Sequence, residues 1–204
     1  MTTTTARAVR THGNKFSARR TMLAQSALVA LAEHGFAGTG LREIAHHSAL
    51  SHGSLHYYFD DKDDLIAEAV WSFKSTCARR YDEIVATATD CDELAARVGQ
   101  RMAATLREDA ALHRLWYDLR NQSLFGRGFE DTIVRIDALL TDMIWSIVER
   151  YGELCGSRPQ LEPAFVYALL DGLFQNELIS FLRGDTDAPE RLQRECVTLL
   201  AGVV

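Results

Sequence analysis

The apolar positions of this chain recur at helical spacing. Leu23, Ala27 and Leu31 fall on one face of a segment that Ser17 can cap and that ends near Gly35. Apolar residues three and four apart recur in the later segments, and no convincing run of alternating apolar and polar residues indicates a strand. The pattern therefore predicts a helical protein.

Proline and glycine mark the ends of the predicted helices. The three prolines are Pro159, Pro163 and Pro189, so the first 158 residues contain none. A proline-free stretch rich in Ala, Leu, Arg and Glu is typical of helices joined by glycine-bearing turns. The helices predicted after the first one are Leu41–Ser48, Ser51–Tyr58, Asp61–Ala86, Cys91–Glu108, Ala110–Asn121, Phe129–Tyr151, Leu161–Arg183 and Pro189–Ala201. The predicted fold class is all-α, with about nine helices.

Charge is distributed unevenly along the 204 residues. The net charge of −6 combines 22 Lys and Arg with 28 Asp and Glu, and as an average it argues against a nucleic-acid partner. Residues 1–59, however, hold six basic and two acidic side chains, a net of +4, which leaves −10 for residues 60–204. Six of the seven histidines also precede residue 60. A basic N-terminal region on an acidic body is typical of a DNA-binding domain joined to a second domain.

Composition and cysteine spacing narrow the class of protein further. Hydrophobic residues make up 47% and charged residues 25% of the chain, as in ordinary globular proteins, and no apolar run is long enough for a membrane helix. The threonine-rich start lacks the apolar segment of a secretory signal. Cys77, Cys91, Cys155 and Cys196 form no C-x-x-C pair, which predicts unpaired cysteines, no zinc site and a cytoplasmic location.

The segment from Leu41 to Tyr58 fits a helix-turn-helix. Two short helices that cross steeply need inward apolar side chains and a small residue where their backbones approach. Ile44 is the inward group of the first helix, and Ala45 beside it is small. Leu55 with Tyr58 forms the inward face of the second helix, which Ser51 can cap. Leu50 fills the turn, next to Ala49.

The outward face of that second helix is small or polar. Its members are Ser51, His52, Gly53, Ser54, His56 and Tyr57. Ser, His and Tyr can donate to phosphate oxygens, and Gly53 permits a close approach of backbone to DNA. None of these side chains can form the bidentate hydrogen bonds that identify guanine or adenine. The pattern therefore predicts DNA binding but does not predict which operator sequence is bound.

A longer pattern extends from Phe36 to Leu65. It reads Phe-Ala-Gly-Thr-Gly-Leu-Arg-Glu-Ile-Ala, then Ser-His-Gly-Ser-Leu-His-Tyr-Tyr-Phe, then Asp-Lys-Asp-Asp-Leu. It closely resembles the N-terminal signature of tetracycline-repressor-like (TetR family) regulators. The departures are Ala49 for the usual glycine, His52 for a common lysine, and His56-Tyr57 for the order tyrosine-histidine.

The resemblance implies roles for individual residues. The implied phosphate contacts are Thr39, Ser51, His52, Tyr57 and Lys62. The implied candidates for reading base edges are Gly53, Ser54 and His56. Tyr58 and Phe59 are predicted to be core residues. The implied organisation is a flexible arm over 1–16, a helix-turn-helix domain over 17–60, and an effector-binding and dimerisation domain over 61–204.

The helix predicted over Leu161–Arg183 is apolar nearly all round. Such a helix is buried on two sides, one of which can meet a partner chain. The predicted dimer interface is Phe165, Leu169, Gly172, Leu173, Asn176 and Ile179. With Pro189–Ala201 it would form a four-helix bundle across a two-fold axis. The alternative is a helix buried wholly within its own domain.

The resemblance also implies an effector pocket in the C-terminal domain, and its candidate residues are aromatic or polar side chains on the helices expected to surround it. The candidates are Trp71, His113, Trp116, Tyr117, Arg120, Asn121, Phe125, Trp145, Phe174 and Glu177. Such a mixture fits a mostly apolar cavity with a few orienting polar groups. Arg120 favours an acidic ligand and Glu177 a cationic one, so the effector stays open.

The sequence thus predicts a ligand-responsive transcriptional regulator, a repressor that binds a palindromic operator as a homodimer. No cofactor, membrane or resident metal is expected, and the protein is expected not to be an enzyme, because no catalytic motif is present. Three alternatives stay open: an all-α enzyme without a recognisable motif, a nonspecific architectural DNA binder, and a metal sensor. The sensor would use the histidines 46, 47, 52 and 56, since His52 and His56 share a helix face. An arm that enters the minor groove is the alternative to a disordered N-terminus.

Overall fold

The computed structural model describes residues 3–38, 40–47, 52–125 and 129–204, with side chains at all of these positions except 3–14, 33–38, 43, 47, 52 and 54. These residues form nine α-helices and no strand, which confirms the all-α prediction. The helices are α1 (Thr3–Gly38), α2 (Leu41–His47), α3 (His52–Tyr58), α4 (Lys62–Arg79), α5 (Asp82–Thr87), α6 (Cys91–Gln122), α7 (Glu130–Cys155), α8 (Pro163–Leu182) and α9 (Ala188–Gly202).

A kink divides α6 where the sequence predicts a break between two helices. Asp109 has φ −123° and ψ 19°, outside the helical region, so Cys91–Glu108 and the residues from Ala110 onward are two helical pieces in continuous sequence. The Arg80 guanidinium donates to the Asp109 carboxylate and ties the kink to the end of α4.

Two predicted helix ends are wrong. The first helix begins at Thr3 rather than Ser17 and continues to Gly38, so residues 3–16, predicted as an arm, lie within α1. These residues include no proline, and a single glycine at position 13 costs a helix only about 1 kcal/mol. The helix predicted over Asp61–Ala86 is two, because α4 ends in a tight turn in which the Tyr81 amide donates to the Ala78 carbonyl.

The chain forms two compact units. Unit 1 comprises residues 1–73 and 118–132, and unit 2 comprises residues 74–117 and 133–204. The boundary between the two units falls within α4, between Phe73 and Lys74. The domain boundary predicted between residues 60 and 61 is a separate statement and stays a prediction.

Unit 1 buries the stripe of α1 that the sequence predicts. The buried apolar side chains come from α1 to α4: Leu23, Ala27, Leu31, Ile44, Leu55, Phe59, Leu65, Ile66 and Ala69. Arg20 adds polar contacts, since its guanidinium pairs with Asp64 and Glu68, donates to the Tyr58 carbonyl and covers the Phe59 ring. Arg20, one of the six basic residues before position 60, is therefore held in ion pairs within unit 1.

Unit 2 is a helical body whose α8 and α9 pack together. The buried face of α9 is Leu192, Cys196 and Leu200. At Gly99 in α6 the backbones come close, because an added Cβ would lie 2.8 Å from the Gln193 carbonyl oxygen of α9. A glycine at this point is what allows α9 to pack.

The prediction that the cysteines are unpaired is wrong for two of them. Cys91, the first residue of α6, forms a disulfide with Cys155, the last residue of α7, across a Cα–Cα distance of 5.5 Å. Cys77 and Cys196 are free and buried. The spacing of 64 residues gives no local signal of this pair, because the two helix ends meet only in the folded unit.

Among the described helices, none combines the length and the apolar character that crossing a bilayer requires.

Candidate DNA-binding surface and ligand cavity

The short helix α3 is fixed from its inner side. Leu55 of α3 and Ile44 of α2 are fully buried, and Phe59 directly after α3 is nearly so. The Phe59 amide donates to the Leu55 carbonyl at 2.9 Å, which extends the helical bonding past Tyr58. This confirms that Phe59 is a core residue, and it holds the outer face of α3 in one orientation.

The outer face of α3 is open to solvent. Gly53, His56 and Tyr57 are exposed, Tyr57 to 71%. The Tyr57 and Tyr58 rings contact each other and both contact Phe16 of α1, so Tyr57 is supported at its base while its side chain stays accessible. Tyr58 is half-buried in this contact. A supported, exposed phenol can donate to a phosphate oxygen at little entropic cost.

The other predicted DNA contacts are described to different extents. Lys62 opens α4 and is half-exposed. His52 and Ser54 lie in α3, but their side chains are outside the described part of the chain. Thr39 and Ser51 lie outside the described residues altogether. The described groups that share the outer face of α3 are thus Gly53, His56 and Tyr57.

Gly53 allows a test of this face, since an added Cβ would meet nothing within 4 Å. We expect Gly53→Ala to stabilise unit 1 by up to about 1 kcal/mol, because alanine favours a helix interior over glycine. We expect the same change to weaken DNA binding about tenfold, because a methyl group would stand between the helix and DNA. Thermal unfolding and fluorescence anisotropy measure the two effects. Tighter DNA binding in step with the added stability would contradict a close approach at Gly53.

Unit 2 contains a cavity that is partly open to solvent, with about 500 Å³ of empty space including the open part. Its lining is mostly apolar and aromatic, with a few polar side chains from α4, α6 and α8. The lining residues are Lys74, Cys77, Tyr81, Met102, Thr105, His113, Tyr117, Leu140, Met143, Ile144, Tyr167, Leu170, Asp171 and Phe174. A concave, mostly apolar lining with a few polar side chains is of the kind that binds small molecules.

One end of the cavity carries a buried ammonium group. Lys74 is only 5% exposed, its Nζ lies 5.2 Å from the centroid of the Trp116 ring, and it lies 3.5 Å from His113 Nδ1. Burial, and then the charges of Lys74 and Arg80, hold the pKa of His113 well below its usual value, so the imidazole is neutral at pH 7.

Two carboxylates of unit 2 accept hydrogen bonds from tyrosines of the lining. The Tyr117 hydroxyl donates to Asp171 at 2.9 Å, and the Tyr167 hydroxyl donates to Asp137 at 2.5 Å. These bonds satisfy both phenols and fix the two aromatic walls.

The residues predicted for the pocket are dispersed between the units. His113, Tyr117 and Phe174 line the cavity, and Trp116 is not part of the lining but contacts Lys74, which is. Trp145 is half-exposed on α7, and Glu177 is buried in an ion pair with Arg191. The remaining four candidates belong to unit 1: Trp71, Arg120, Asn121 and Phe125. Phe125 is 92% exposed.

Sequence reasoning missed the polar residues Lys74, Thr105 and Asp171 of this lining. Lys74 does leave a signal, because it follows Ile66 and Val70 at helical spacing and precedes Cys77. A lysine within an apolar stripe places an ammonium group at the buried face of the helix.

A candidate metal-ligand set shares Cys77 and His113 with the cavity lining. Ligand atoms of Cys77, Asp109 and His113 are within 4.8 Å of one another. Burial raises the pKa of the Cys77 thiol, although Lys74 and Arg80 lower it in part. The same two cations would repel a divalent metal ion, and the thiol would have to lose its proton to bind one.

The histidines of the predicted metal sensor are only partly described. His46 on α2 and His56 on α3 are exposed, whereas the side chains at 47 and 52 lie outside the described residues. This alternative stays a prediction.

The predicted dimer interface forms an apolar stripe on α8, which we call the α8 stripe: Phe165, Leu169, Gly172, Leu173, Asn176 and Ile179. Phe165 is 54% and Leu169 39% exposed, while Val166 and Leu170 beside them are buried. An added Cβ at Gly172 would meet nothing within 4 Å. The stripe therefore presents exposed apolar side chains around an open glycine position.

Residues 23–69, which include α2, α3 and the start of α4, match the family described as bacterial regulatory proteins, tetR family. In these residues the chain is similar to the tetR family. A similar protein, the HTH-type transcriptional repressor KstR2 of Rhodococcus jostii, is 36% identical over 74 residues. That alignment covers 36% of each protein, so it spans about a third of the repressor's length.

Solved structures share the fold over about nine tenths of the chain. A TetR transcription regulator from Haloarcula marismortui has a TM-score of 0.74 at 20% identity, covering 91% of this chain and 98% of the other. FadR from Bacillus subtilis in complex with stearoyl-CoA has a TM-score of 0.71 at 15% identity, covering 89% and 97%. At these identities the likeness concerns the fold.

Proposed function

We propose that the protein is a DNA-binding transcriptional regulator of the cytoplasm, a repressor that a small molecule releases from its operator, rather than an enzyme. The observation that carries the proposal is the outer face of α3, where Gly53, His56 and Tyr57 are exposed on a helix held from behind by Leu55. This face has the size and chemistry of a recognition helix in a major groove.

The α8 stripe supports a homodimer. Exposed apolar side chains in a row on one helix lose contact with water when a second copy covers them, and Gly172 allows the two helices to approach closely. A two-fold dimer would place two α3 helices about 34 Å apart, in successive major grooves of a palindromic operator.

The cavity of unit 2 supports control by a small molecule. The structural relative FadR was crystallised with stearoyl-CoA, and we propose that this chain likewise holds a ligand in unit 2. Helix α4 carries residues of both units, from Lys62 of unit 1 to Arg79 of unit 2. A ligand that binds one arrangement of α4 more tightly than another shifts the protein toward that arrangement. The resulting change in the free energy of DNA binding can be no larger than the difference between the ligand's binding free energies for the two arrangements.

DNA binding by two variants tests the proposal. On DNA from the protein's own upstream region, we expect Tyr57→Phe and Lys62→Ala each to lose about tenfold in affinity, because each removes a contact to phosphate. Lys62→Ala should also reduce the slope of log affinity against log salt by about 2, one for each protomer, while Tyr57→Phe leaves it unchanged. Fluorescence anisotropy at several salt concentrations measures both quantities.

Tyr151→Phe is the matched control, since it removes a hydroxyl from unit 2 and should bind as the wild type does. Unchanged affinity in both Tyr57→Phe and Lys62→Ala would contradict this docking. Equal wild-type affinity for scrambled DNA would favour the architectural binder. Deleting the gene should raise transcription of the neighbouring operon, and a fall would make the protein an activator.

A further inference from the structure

We propose that the Cys91–Cys155 disulfide is a site of exchange with a small thiol, and that opening it lowers the affinity of the protein for DNA. The inference rests on the proposed function for its setting and goes beyond it by adding a covalent site that responds to the thiol pool. A DNA-binding regulator works in the cytoplasm, where thiol reductants keep most cysteines reduced. A disulfide that does form there is usually transient or redox-sensing.

The first support is the accessibility of the bond. Cys155 is exposed at the last residue of α7, and Cys91 is half-buried at the first residue of α6. Exchange begins when a thiolate reaches one sulfur of a disulfide, so an exposed partner opens the bond to attack from solution. Cys77 and Cys196 are buried, and burial raises the pKa of both thiols, to about 12 for Cys196. The two free cysteines therefore do not compete for the small thiol.

The exchange consumes two molecules of the small thiol for each disulfide. The first attacks as a thiolate on Cys155 Sγ, which forms a mixed disulfide and breaks the bond to Cys91 Sγ. The second attacks the small thiol's own sulfur in the mixed disulfide and releases Cys155. The protons of the two small thiols end on the two cysteine sulfurs. Two electrons thus pass to the protein, and the small thiol leaves as its disulfide.

The second support is the ring that the disulfide closes. Cys91 begins α6 and Cys155 ends α7, so the ring consists of both helices and the connection between them. Residues 118–132 of this ring belong to unit 1, and the rest belongs to unit 2. Opening the ring destabilises both helices, because it removes a constraint on the chain between them. DNA binding that requires one arrangement of residues 118–132 then becomes weaker, because a smaller fraction of the protein has that arrangement.

The third support is a contact beside the disulfide. The Arg150 guanidinium of α7 donates to the Ala88 carbonyl, shortly before Cys91, at 3.1 Å, and it pairs with Glu153. Ala88 itself is buried. This contact holds the end of α7 against the segment that precedes α6 after the sulfurs separate. The two thiols therefore remain close enough to form the bond again, and the site can cycle.

The experiment follows the cysteines of the full-length protein under native conditions. Protein oxidised with oxidised glutathione would be incubated with millimolar reduced glutathione, alkylated with iodoacetamide and analysed by mass spectrometry. We expect Cys91 and Cys155 to be alkylated while Cys77 and Cys196 stay unmodified. Failure of the pair to form under oxidised glutathione, a bond that resists reduced glutathione, or equal alkylation of all four cysteines would overturn the exchange site.

Two single variants identify the sulfur that is attacked. With oxidised glutathione, we expect Cys91→Ser, which leaves the exposed Cys155, to gain one glutathione about tenfold faster than Cys155→Ser, which leaves the half-buried Cys91. Mass spectrometry over time measures both rates. The reverse order would overturn the proposed step.

DNA affinity tests the consequence of opening the ring. We expect wild-type protein reduced with glutathione to bind its upstream DNA about fivefold or more weakly than the oxidised protein. The double variant with Cys91→Ser and Cys155→Ser should bind as the reduced wild type does, without a response to glutathione. Equal affinity of the two wild-type states, or a response in the double variant, would overturn the regulatory role of the bond. If the double variant does not fold, the two wild-type states still decide.

Scrambled DNA separates this inference from the proposed function. Exchange at Cys91 and Cys155 without a preference for the upstream DNA would overturn the regulator and leave the exchange site intact. Specific DNA binding by a protein whose disulfide glutathione does not open would overturn the exchange site and leave the regulator intact.

Discussion

Leu169→Arg is expected to convert the protein from a dimer into a folded monomer. Leu169 lies in the middle of the α8 stripe with 39% of its surface exposed, so a guanidinium group there can reach water in the monomer. In a two-fold interface the same change would bring two positive charges into an apolar contact, where they cannot be hydrated. Sedimentation analysis would show half the mass of the wild type.

The same variant should lose operator binding. A dimer binds its second half-site as an intramolecular step, and losing that step costs roughly a hundredfold or more in affinity. Val134→Arg is the matched control, because Val134 is an exposed apolar residue of α7 in the same unit but outside the stripe. Leu169→Arg that stays dimeric, or Val134→Arg that becomes monomeric, would place the interface elsewhere.

Gly99→Ala is expected to destabilise unit 2 by about 2 kcal/mol, although alanine normally favours a helix. The added Cβ would lie 2.8 Å from the Gln193 carbonyl oxygen, and a backbone atom of α9 cannot move aside as a flexible side chain can. Helix α9 would have to shift, together with the buried face formed by Leu192, Cys196 and Leu200. Denaturant unfolding would measure the loss.

Gly53→Ala is the control for this substitution, since it is chemically identical and enters open space. The two variants should therefore change stability in opposite directions. An equal gain in both would show that α6 and α9 do not approach closely at Gly99.

The helical fold could be predicted because its signals are local. The periodic apolar positions and the absence of proline before residue 159 predict an all-α chain, and the break between Glu108 and Ala110 corresponds to the kink at Asp109. The start of α1 and the end of α4 could not be predicted from the sequence, because no proline and no capping box marks either point. Residue 80 is helix-compatible by type, and the chain turns there as Tyr81 becomes buried.

The cavity was less predictable because it depends on contacts between distant segments. His113, Tyr117 and Phe174 were included in the predicted pocket for their chemistry, and the structure places them in one lining. Lys74 was not included, since a lone lysine in a helix is usually solvated, and only the packing of α4 buries it. The disulfide between Cys91 and Cys155 required the same kind of knowledge, namely that two helix ends meet.

The contact between Trp116 and Lys74 has a spectroscopic consequence. Trp116 is fully buried, whereas Trp71 and Trp145 are half-exposed, so iodide in solution quenches the latter two first and leaves emission dominated by Trp116. An indole ring 5.2 Å from an ammonium group experiences a strong local field. A ligand that enters the cavity beside Lys74 would change that field, and the wavelength of Trp116 emission would therefore report occupancy of the cavity in unlabelled protein.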